Sequence, residues 1–254
     1  MKTIIASLFL LCWAHYQQTQ YPECDEVMYK AYLGHQDVQV SKEQWKKIVA
    51  GRKTKLQSDP KNKDHLYDLS LAQFGLLTST MRDQDENLFD DHVDETEKNL
   101  QTLIDENKNW GEPRALLAAL YGLKINYSPV KGMYYGPKSG SLIEEAKKDT
   151  PSSPLVWKLY ANYKFFTPET FGGDLKEAIK AYEKSIQLYE SDPERIKNNW
   201  FYLDTMAFLG QAYLKDGQTA RAIETYEKAL KTEPGYSFVK FNLLPKARKT
   251  VSSN

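Results

Sequence analysis

From about residue 25 onward, hydrophobic residues recur three and four positions apart, while Pro, Gly, Asn and Asp collect between the periodic segments. This spacing is typical of amphipathic α-helices, and no window shows the sustained alternation of a strand. The pattern therefore predicts an all-α chain. The predicted helices span residues 24–33, 42–57, 64–81, 90–106, 113–125, 140–148, 153–166, 175–189, 194–215, 219–232 and 238–250.

The clearest internal signal is a repeat at residues 206–234. It matches the spacing of a tetratricopeptide repeat at Leu209-Gly210, Tyr213, Gly217, Ala222, Tyr226, Ala229 and Pro234. Such a unit cannot bury its apolar face alone, so it implies stacked neighbours and an exposed groove. We expect a short, right-handed tetratricopeptide-like α-solenoid of three to four antiparallel helix hairpins, closed by a C-terminal capping helix at 238–250.

Weaker copies of the repeat precede the clear one. Residues 110–250 carry the recognisable repeats, whereas 24–109 match only as degenerate helical hairpins. In the earlier copies, a long connection joins the first helix to the second. These connections span residues 126–140 and 167–174. Long connections in compact helical arrays are uncommon and often functional.

The two connections also suggest a narrower resemblance. The runs GMYYGPKSGSLIEEAKKDTPSSP and FFTPETFGGDLKEAIKAYEKSI, followed by the clear repeat, resemble a group of secreted tetratricopeptide-type proteins of Bacteroidetes bacteria. The resemblance covers roughly residues 110–250 and rests on a G-x-KS loop and a P-x-x-FGGD loop. It implies an extracytoplasmic location and no particular reaction.

The N-terminus has the pattern of a secretory signal peptide. Lys2 precedes an apolar run at 4–14, which polar residues follow at once. The run is shorter than the ~20 apolar residues of a transmembrane helix. We predict a signal peptide at 1–20, with cleavage between Ala14 and Gln20; a buried first helix is the alternative. The mature protein is then secreted or periplasmic, without a transmembrane anchor.

The cysteines add one alternative. Removal of residues 1–20 leaves Cys24 alone, which excludes an internal disulfide framework. Lipidation at Cys12 is the other possibility, although Leu11 is not the small residue expected before a lipid-modified cysteine.

Composition excludes one class of partner. Lys plus Arg equals Asp plus Glu at 34 each, so no basic excess attracts nucleic acid. Aromatic residues make up 13% of the chain and include 17 tyrosines, which argues against disorder. Tyrosines of this kind serve helix seams or binding surfaces, and both interpretations are open.

No enzymatic constellation is recognisable. The four histidines lie far apart at 15, 35, 65 and 92, and no serine or cysteine has a nucleophile context. The run at 132–139 resembles a phosphate-binding loop superficially, but Pro137 interrupts it and removes an amide donor. We interpret it as a turn in which Gly136 and Gly140 adopt unusual backbone angles and Ser139 or Ser141 caps the next helix. No cofactor is expected.

Two acidic segments are candidate metal sites. The run 83–87 places oxygen ligands as in a calcium loop, but Leu88 replaces the turn glycine and Asp94 the closing glutamate, so a solvated acidic connector is favoured. His92 lies among acidic residues, of which Asp90 or Asp91 is better explained as a helix cap. We expect no metal and no enzymatic activity.

The candidate binding residues form two groups. The long connections should emerge at one end of the solenoid, and the Phe171-Gly172-Gly173-Asp174 turn should use Phe171 as an apolar plug and Asp174 as a helix cap. These connections would bring together Tyr127, Met133, Tyr134, Tyr135, Lys138, Phe166 and Phe171. Either this aromatic patch binds a partner, or the two loops simply pack on each other.

The inner face of the solenoid is the second candidate. It offers Lys158, Asn162, Phe165, Asp204, Gln211 and Lys215, together with Ala207 and Leu214. Such a mixed wall suits an extended peptide or plain solvent exposure. We therefore predict a non-enzymatic extracytoplasmic scaffold that binds a protein or peptide partner. The alternative is an accessory subunit, possibly lipid-anchored, of an outer-membrane assembly or polymer-handling complex.

Overall fold

A computed structural model describes residues 21–34 and 38–252, and these residues form eleven α-helices and no β-strand. The helices are α1 Glu26–Leu33, α2 Val38–Ser58, α3 Lys63–Ser79, α4 Glu86–Glu106, α5 Gly111–Tyr127, α6 Gly132–Asp149, α7 Pro154–Phe166, α8 Leu175–Glu190, α9 Trp200–Lys215, α10 Thr219–Thr232 and α11 Leu244–Ser252. The predicted signal peptide, with Cys12 and His15, and the isolated His35 lie outside the described residues.

Successive helices pair into hairpins that stack on one another. The pairs are α3 with α4, α5 with α6, α7 with α8, and α9 with α10, and each first helix also contacts the first helix of the next pair except α9, the last. A π-helical turn, Phe238–Leu243, and α11 cover α10. The predicted all-α solenoid with a capping segment at its C-terminus is confirmed. One continuous core runs from Met28 to Ala247 with no interruption near residue 110.

Close approach of neighbouring helices depends on small residues facing aromatic ones at two seams. A Cβ at Gly210 of α9 would lie 2.2 Å from the Tyr226 ring of α10, and a Cβ at Gly75 of α3 would lie 2.3 Å from the Trp45 ring of α2. Both rings are fully buried. Glycine is therefore a packing requirement at these two seams, and the Gly210–Tyr226 seam lies within the sequence repeat.

Side-chain caps fix where several helices begin. Asn199 Oδ1 accepts a hydrogen bond from the Tyr202 amide at 3.2 Å, so α9 starts at Trp200 rather than at the predicted residue 194. Asp85 accepts from the Leu88 amide at 3.2 Å, and α4 therefore starts at Glu86. The prediction that Asp90 or Asp91 caps this helix is wrong, because both lie inside it.

The predicted long connection at 126–140 is wrong, because most of it is helical. Helix α5 continues to Tyr127, a 3₁₀ turn covers Pro129–Lys131, and α6 begins at Gly132. Pro137 lies within α6, where it has no amide to donate to the carbonyl of Met133 four residues before it. Gly136 and Gly140 have ordinary helical backbones, since the described positive-φ glycines are Gly172 and Gly217.

Ser139 has a different role from the predicted cap. Its hydroxyl is buried and donates to the Ala118 carbonyl of α5 at 2.9 Å. Gly140 allows close approach of α7, because a Cβ there would lie 2.8 Å from the Tyr163 hydroxyl. Ser139 and Gly140 thus connect α6 to α5 on one side and to α7 on the other.

The N-terminal segment crosses to the other end of the solenoid. In α1, the Tyr32 ring lies 5.3 Å from that of Trp200 in α9, and Tyr29 donates a hydrogen bond to Glu233 at 2.9 Å. Phe74 of α3 stacks on Phe201 of α9 at 6.3 Å. The first and last hairpins are therefore in direct contact, and α1 packs against α9 and closes part of the inner face.

Candidate partner-binding surface

Three phenylalanines form a connected aromatic cluster between α7 and α9. Phe166 lies 4.9 Å from Phe165 and 5.4 Å from Phe208, measured between ring centroids. Phe165 and Phe208 are half-buried against the core, whereas Phe166 is 60% exposed. The cluster therefore presents an accessible apolar surface on a rigid base.

Polar groups surround this cluster. The Lys215 ammonium lies 5.3 Å from the Phe165 ring centroid, and its side chain is exposed. Asn162 is held by the Tyr182 hydroxyl, which donates to Asn162 Oδ1 at 2.7 Å. Gln211 is half-buried one turn after Phe208, with its amide 3.5 Å from the Ala207 carbonyl. We call Asn162, Phe165, Phe166, Phe208, Gln211 and Lys215 the open half of the inner face.

The other half of the predicted inner face is closed. Lys158 is 3% exposed, and its ammonium lies 2.7 Å from Asp204 Oδ2. Asp204 also accepts a hydrogen bond from the Tyr32 hydroxyl of α1 at 2.8 Å. The prediction that Lys158 and Asp204 face a partner is wrong, because the two side chains bind each other and the Tyr32 hydroxyl of α1 bonds to Asp204.

Two buried tyrosines extend this closed network. The hydroxyls of Tyr32 and Tyr236 share a hydrogen bond. Burial first, and then the nearby Asp204 carboxylate, raise the pKa of both tyrosines well above the usual range. Both therefore stay neutral and can donate, which satisfies the polar groups that α1 buries.

The aromatic residues predicted at the two long connections do not form one cluster. The Tyr127 hydroxyl donates to Thr80 Oγ1 at 2.8 Å, and its ring packs 4.4 Å from Phe89. Tyr135 packs 4.7 Å from Tyr121. The extension of α5 and α6 explains this, because helical geometry points neighbouring side chains in different directions. Tyr127 thus anchors α5 against the end of α3.

Met133, Tyr134, Lys138 and Phe171 remain on the surface. The Lys138 ammonium lies 3.8 Å from the Tyr134 ring centroid. Phe171 is 75% exposed, so the predicted apolar plug is wrong. The loop that carries Phe171 does adjoin α6 through Tyr163, whose hydroxyl contacts the Phe171 carbonyl at 3.5 Å and lies against Gly140.

The rest of the Phe171 turn matches its prediction. Asp174 Oδ1 accepts from the Glu177 amide at 2.9 Å and caps α8. Gly172 has a φ of 97°, a left-handed conformation that favours glycine. A Cβ at Gly173 would lie 1.8 Å from the Thr167 carbonyl oxygen, so only glycine fits.

The acidic connector at 83–87 is ion-paired rather than solvated. Asp83 and Asp85 lie 2.7 and 2.6 Å from the ammonium of Lys42, whose side chain is 3% exposed. Burial opposes the charged form, but the hydrogen bonds that the Lys42 ammonium donates to both carboxylates outweigh burial and raise the pKa of Lys42. Among the described residues, no three His, Cys, Asp or Glu side chains are grouped as a metal site would require. Nor is any helix there long and apolar enough to span a bilayer.

The sequence pattern did not identify two residues that shape this surface, Phe208 in its open half and Tyr32 at its closed half. Phe208 lies four residues after Asp204 and three before Gln211, so helical spacing alone could have placed it on the same face. The covering role of Tyr32 had no such signal, because it lies 172 residues from Asp204 in the chain.

Comparison with known proteins supports the repeat assignment. Models of the tetratricopeptide repeat match residues 171–192 and 204–236. The chain contains tetratricopeptide repeats. A 62-residue segment is 39% identical to the photosystem I assembly protein Ycf3 of Synechococcus sp. (strain CC9605). That match covers 24% of this chain and about a third of the relative's length, 32%.

One solved structure shows the same fold. The HusA haemophore of Porphyromonas gingivalis superposes with a TM-score of 0.57 at 18% identity, over 78% of this chain and 96% of that one. A thermophilic tetratricopeptide protein of Thermus thermophilus, TTC0263, gives a TM-score of 0.49 at 15% identity, over 85% of this chain and 89% of that one. Repeats of this type present concave surfaces to other proteins, and the chain is accordingly a protein-interaction scaffold in general terms.

Proposed function

We propose that this protein is a non-enzymatic, extracytoplasmic scaffold that binds a short extended segment of a partner protein in the open half of its inner face. The observation that carries the proposal is the Phe165–Phe166–Phe208 cluster, which lies on the first helices of two successive repeats with Lys215 beside it. The extracytoplasmic location is supported by the apolar run at 4–14 and its flanking residues.

The chemistry of the open half defines the segment it would accept. Aromatic side chains with a rigid base are the usual anchors of protein interfaces, and Phe166 offers exposed apolar area to bury. Asn162 and Gln211 supply amide groups for a peptide backbone, and Lys215 supplies a positive charge. The expected ligand is a segment with a large apolar side chain next to a carboxylate.

The closed half limits the length of that segment. Because Lys158 is buried against Asp204 and Tyr32 of α1 bonds to Asp204, a peptide cannot follow the inner face along its whole length. The binding energy must therefore come from a few anchor residues, which favours a short recognition motif over an extended helix.

Affinity capture from the native cell envelope tests the proposal. The bait is the wild-type protein, compared with a Phe166→Ser/Lys215→Glu variant and a matched Phe241→Ser/Lys246→Glu control. Phe241 and Lys246 are equally surface-exposed residues near the C-terminus. We expect one stoichiometric partner with the wild type and the control, and its loss with the first variant.

A haem titration accompanies the capture, because one similar structure belongs to a haemophore. The proposal requires that partner capture depend on Phe166 and Lys215 without added haem. Equal capture by both variants would contradict it. Stoichiometric haem binding, seen as a shift of the Soret band, would also contradict the proposal if the Phe166→Ser/Lys215→Glu change abolished it and no protein were captured.

A further inference from the structure

A cleft of about 430 Å³ lies at the end of the solenoid where α3 and α5 begin and where α4 and α6 end. Its volume falls within the range of small-molecule sites, which is roughly 300–1,000 Å³. We call it the Trp110 cleft, after the tryptophan that lines it. One tryptophan and six polar residues form the lining: Trp110, Lys63, Asp64, Asn107, Asn109, Glu112 and Thr150.

The turn between α4 and α5, which carries three of these residues, is held by buried contacts. The buried Arg114 side chain donates a hydrogen bond to the Lys108 carbonyl at 2.6 Å and pairs with Asp149 at the end of α6. The Gly111 amide donates to Thr150 Oγ1 at 2.9 Å, and a Cβ at Gly111 would lie 2.5 Å from that oxygen. The lining is therefore fixed before a ligand arrives, which lowers the entropic cost of binding.

Trp110 supplies the cleft with an aromatic surface and a hydrogen-bond donor. Its ring packs against the buried Tyr67 ring of α3, with 4.7 Å between the centroids, and it is half-buried. Within the described part of the chain, its indole N–H has no hydrogen-bond acceptor. A tryptophan that a buried neighbour holds in place, and that still lines a cleft, can pack on the apolar face of a ligand.

The polar lining contains donors and acceptors that the neighbouring residues do not use. Asn107 Oδ1 accepts a hydrogen bond from the Asn109 backbone amide at 3.2 Å. Among the residues that the structure describes, the Asn107 amino group and the Asn109 side-chain amide have no partner. The half-buried Glu112 carboxylate also has no ion pair or hydrogen bond there. A ligand for this cleft must therefore both accept and donate hydrogen bonds.

The charge of the lining disfavours an anionic ligand. The carboxylates of Asp64 and Glu112 line the cleft, whereas the lining ammonium of Lys63 lies 3.2 Å from Glu106. Lys108 is exposed in the same turn but does not belong to the lining. A carboxylate or phosphate in the cleft would therefore meet two negative charges, against one positive charge that already has a partner.

We propose that the Trp110 cleft binds a neutral saccharide. Each hydroxyl group of a sugar can both donate and accept, and the C–H groups of a pyranose ring form an apolar face. That face would pack on the Trp110 indole. Hydroxyls at the rim of the ring would donate to the Glu112 carboxylate and accept from the amides of Asn107 and Asn109.

Two other ligand classes fit the cleft less well. An organic cation could pair with Glu112, but an ammonium group has no lone pair to accept from the Trp110 indole N–H. An extended peptide needs pockets for its alternate side chains, and the apolar lining here is a single indole. The inference is independent of the proposed partner site, because it uses none of the six residues of the open half.

Calorimetric titration with defined hexasaccharides tests the inference. The neutral probes are maltohexaose, cellohexaose, mannohexaose and chitohexaose, and hexagalacturonate is the anionic counterpart. We expect at least one neutral probe to bind with a Kd on the order of 1 mM or lower. Hexagalacturonate should bind about tenfold more weakly than that probe, because its carboxylates would meet those of Asp64 and Glu112.

Matched variants locate the binding. Asn109→Ala/Glu112→Gln should lower the affinity for the bound neutral probe about tenfold, because it removes hydrogen bonds to the sugar. The same pair of changes at exposed positions elsewhere, Asn87→Ala/Glu224→Gln, should leave the affinity unchanged. Both double variants should keep the wild-type thermal transition. Trp110→Ala should also lower the affinity about tenfold or more, through loss of the stacked ring.

Three results would overturn the inference. The first is no binding of any of the four neutral hexasaccharides by the wild type. The second is an equal loss of affinity in Asn109→Ala/Glu112→Gln and in its control. The third is tighter binding of hexagalacturonate than of every neutral probe, because that result would assign the cleft to an anionic ligand.

Discussion

Lys158 illustrates, at the scale of single residues, how the sequence pattern identifies a face but not what covers it. Helical spacing places Lys158 with Asn162 and Phe165, and a lysine on such a face would ordinarily reach solvent. The side chain is buried with Asp204 as its partner, and the Tyr32 hydroxyl bonds to the other oxygen of Asp204. A buried ammonium is tolerable only with such a partner.

Asp204→Ala should destabilise the protein strongly. It leaves Lys158 buried without its carboxylate, and the loss of one member of a buried ion pair costs about 3–5 kcal/mol. The free energy of unfolding from urea titration, followed by circular dichroism, measures the effect. Glu26→Ala, which removes the exposed Glu26–Lys30 pair, is the control and should leave the urea midpoint unchanged. A loss below about 1 kcal/mol for Asp204→Ala would show that the pair is solvated.

Cys24 should be almost unreactive in the folded protein. Burial chiefly, helped by the charge of Glu23, raises the pKa of its thiol to about 12. At pH 8 the thiolate fraction is then about three orders of magnitude below that of a free cysteine, since only the deprotonated form reacts. Iodoacetamide labelling followed by mass spectrometry should be slow in buffer and fast in urea. Rapid labelling of the folded protein would mean that the segment before α1 does not pack against residues 194–199.

At the scale of helices, the periodic pattern predicted most elements and failed where glycine and proline are concentrated. Residues 153–166 and 219–232 match α7 and α10 to within one residue. The run at 132–140 looked like a loop because three glycines and Pro137 lower helix propensity. Packing outweighed propensity there, since Ser139 bonds to α5 and Gly140 lets α7 approach.

Gly210→Ala should destabilise the clearest repeat, although alanine is the better helix former. The added methyl group would meet the buried Tyr226 ring, and overpacking of this kind costs about 1–3 kcal/mol. Gly122→Ala in α5 is the control, because nothing lies within 4 Å of a Cβ there and the helix should gain about 0.5–1 kcal/mol. The midpoint of thermal unfolding should fall for Gly210→Ala and rise for Gly122→Ala. A higher midpoint for both variants would contradict this prediction, because it would show that α9 and α10 can separate enough to admit the methyl group.

At the scale of the whole molecule, the repeat predicted the stacking of helix hairpins but not the closure of the inner face. Stacking follows from local helix pairs, whose small and large residues are visible in the sequence. Closure depends on the contacts of Tyr32 with Trp200 and Tyr236, which lie far from α1 along the chain and leave no periodic trace. The surface that remains for a partner is therefore smaller than a repeat array suggests, and it lies at the ends of α7 and α9.

Site-specific photo-crosslinking in the native cells tests the central claim most directly. Benzoylphenylalanine is placed at Phe166 or Gln211 in the open half, and at Phe241 as a control of similar exposure to Phe166. The account predicts one crosslinked partner protein at Phe166 and Gln211 and no such product at Phe241. Crosslinks of equal yield at all three positions, or none at Phe166 and Gln211 with a product at Phe241, would contradict it.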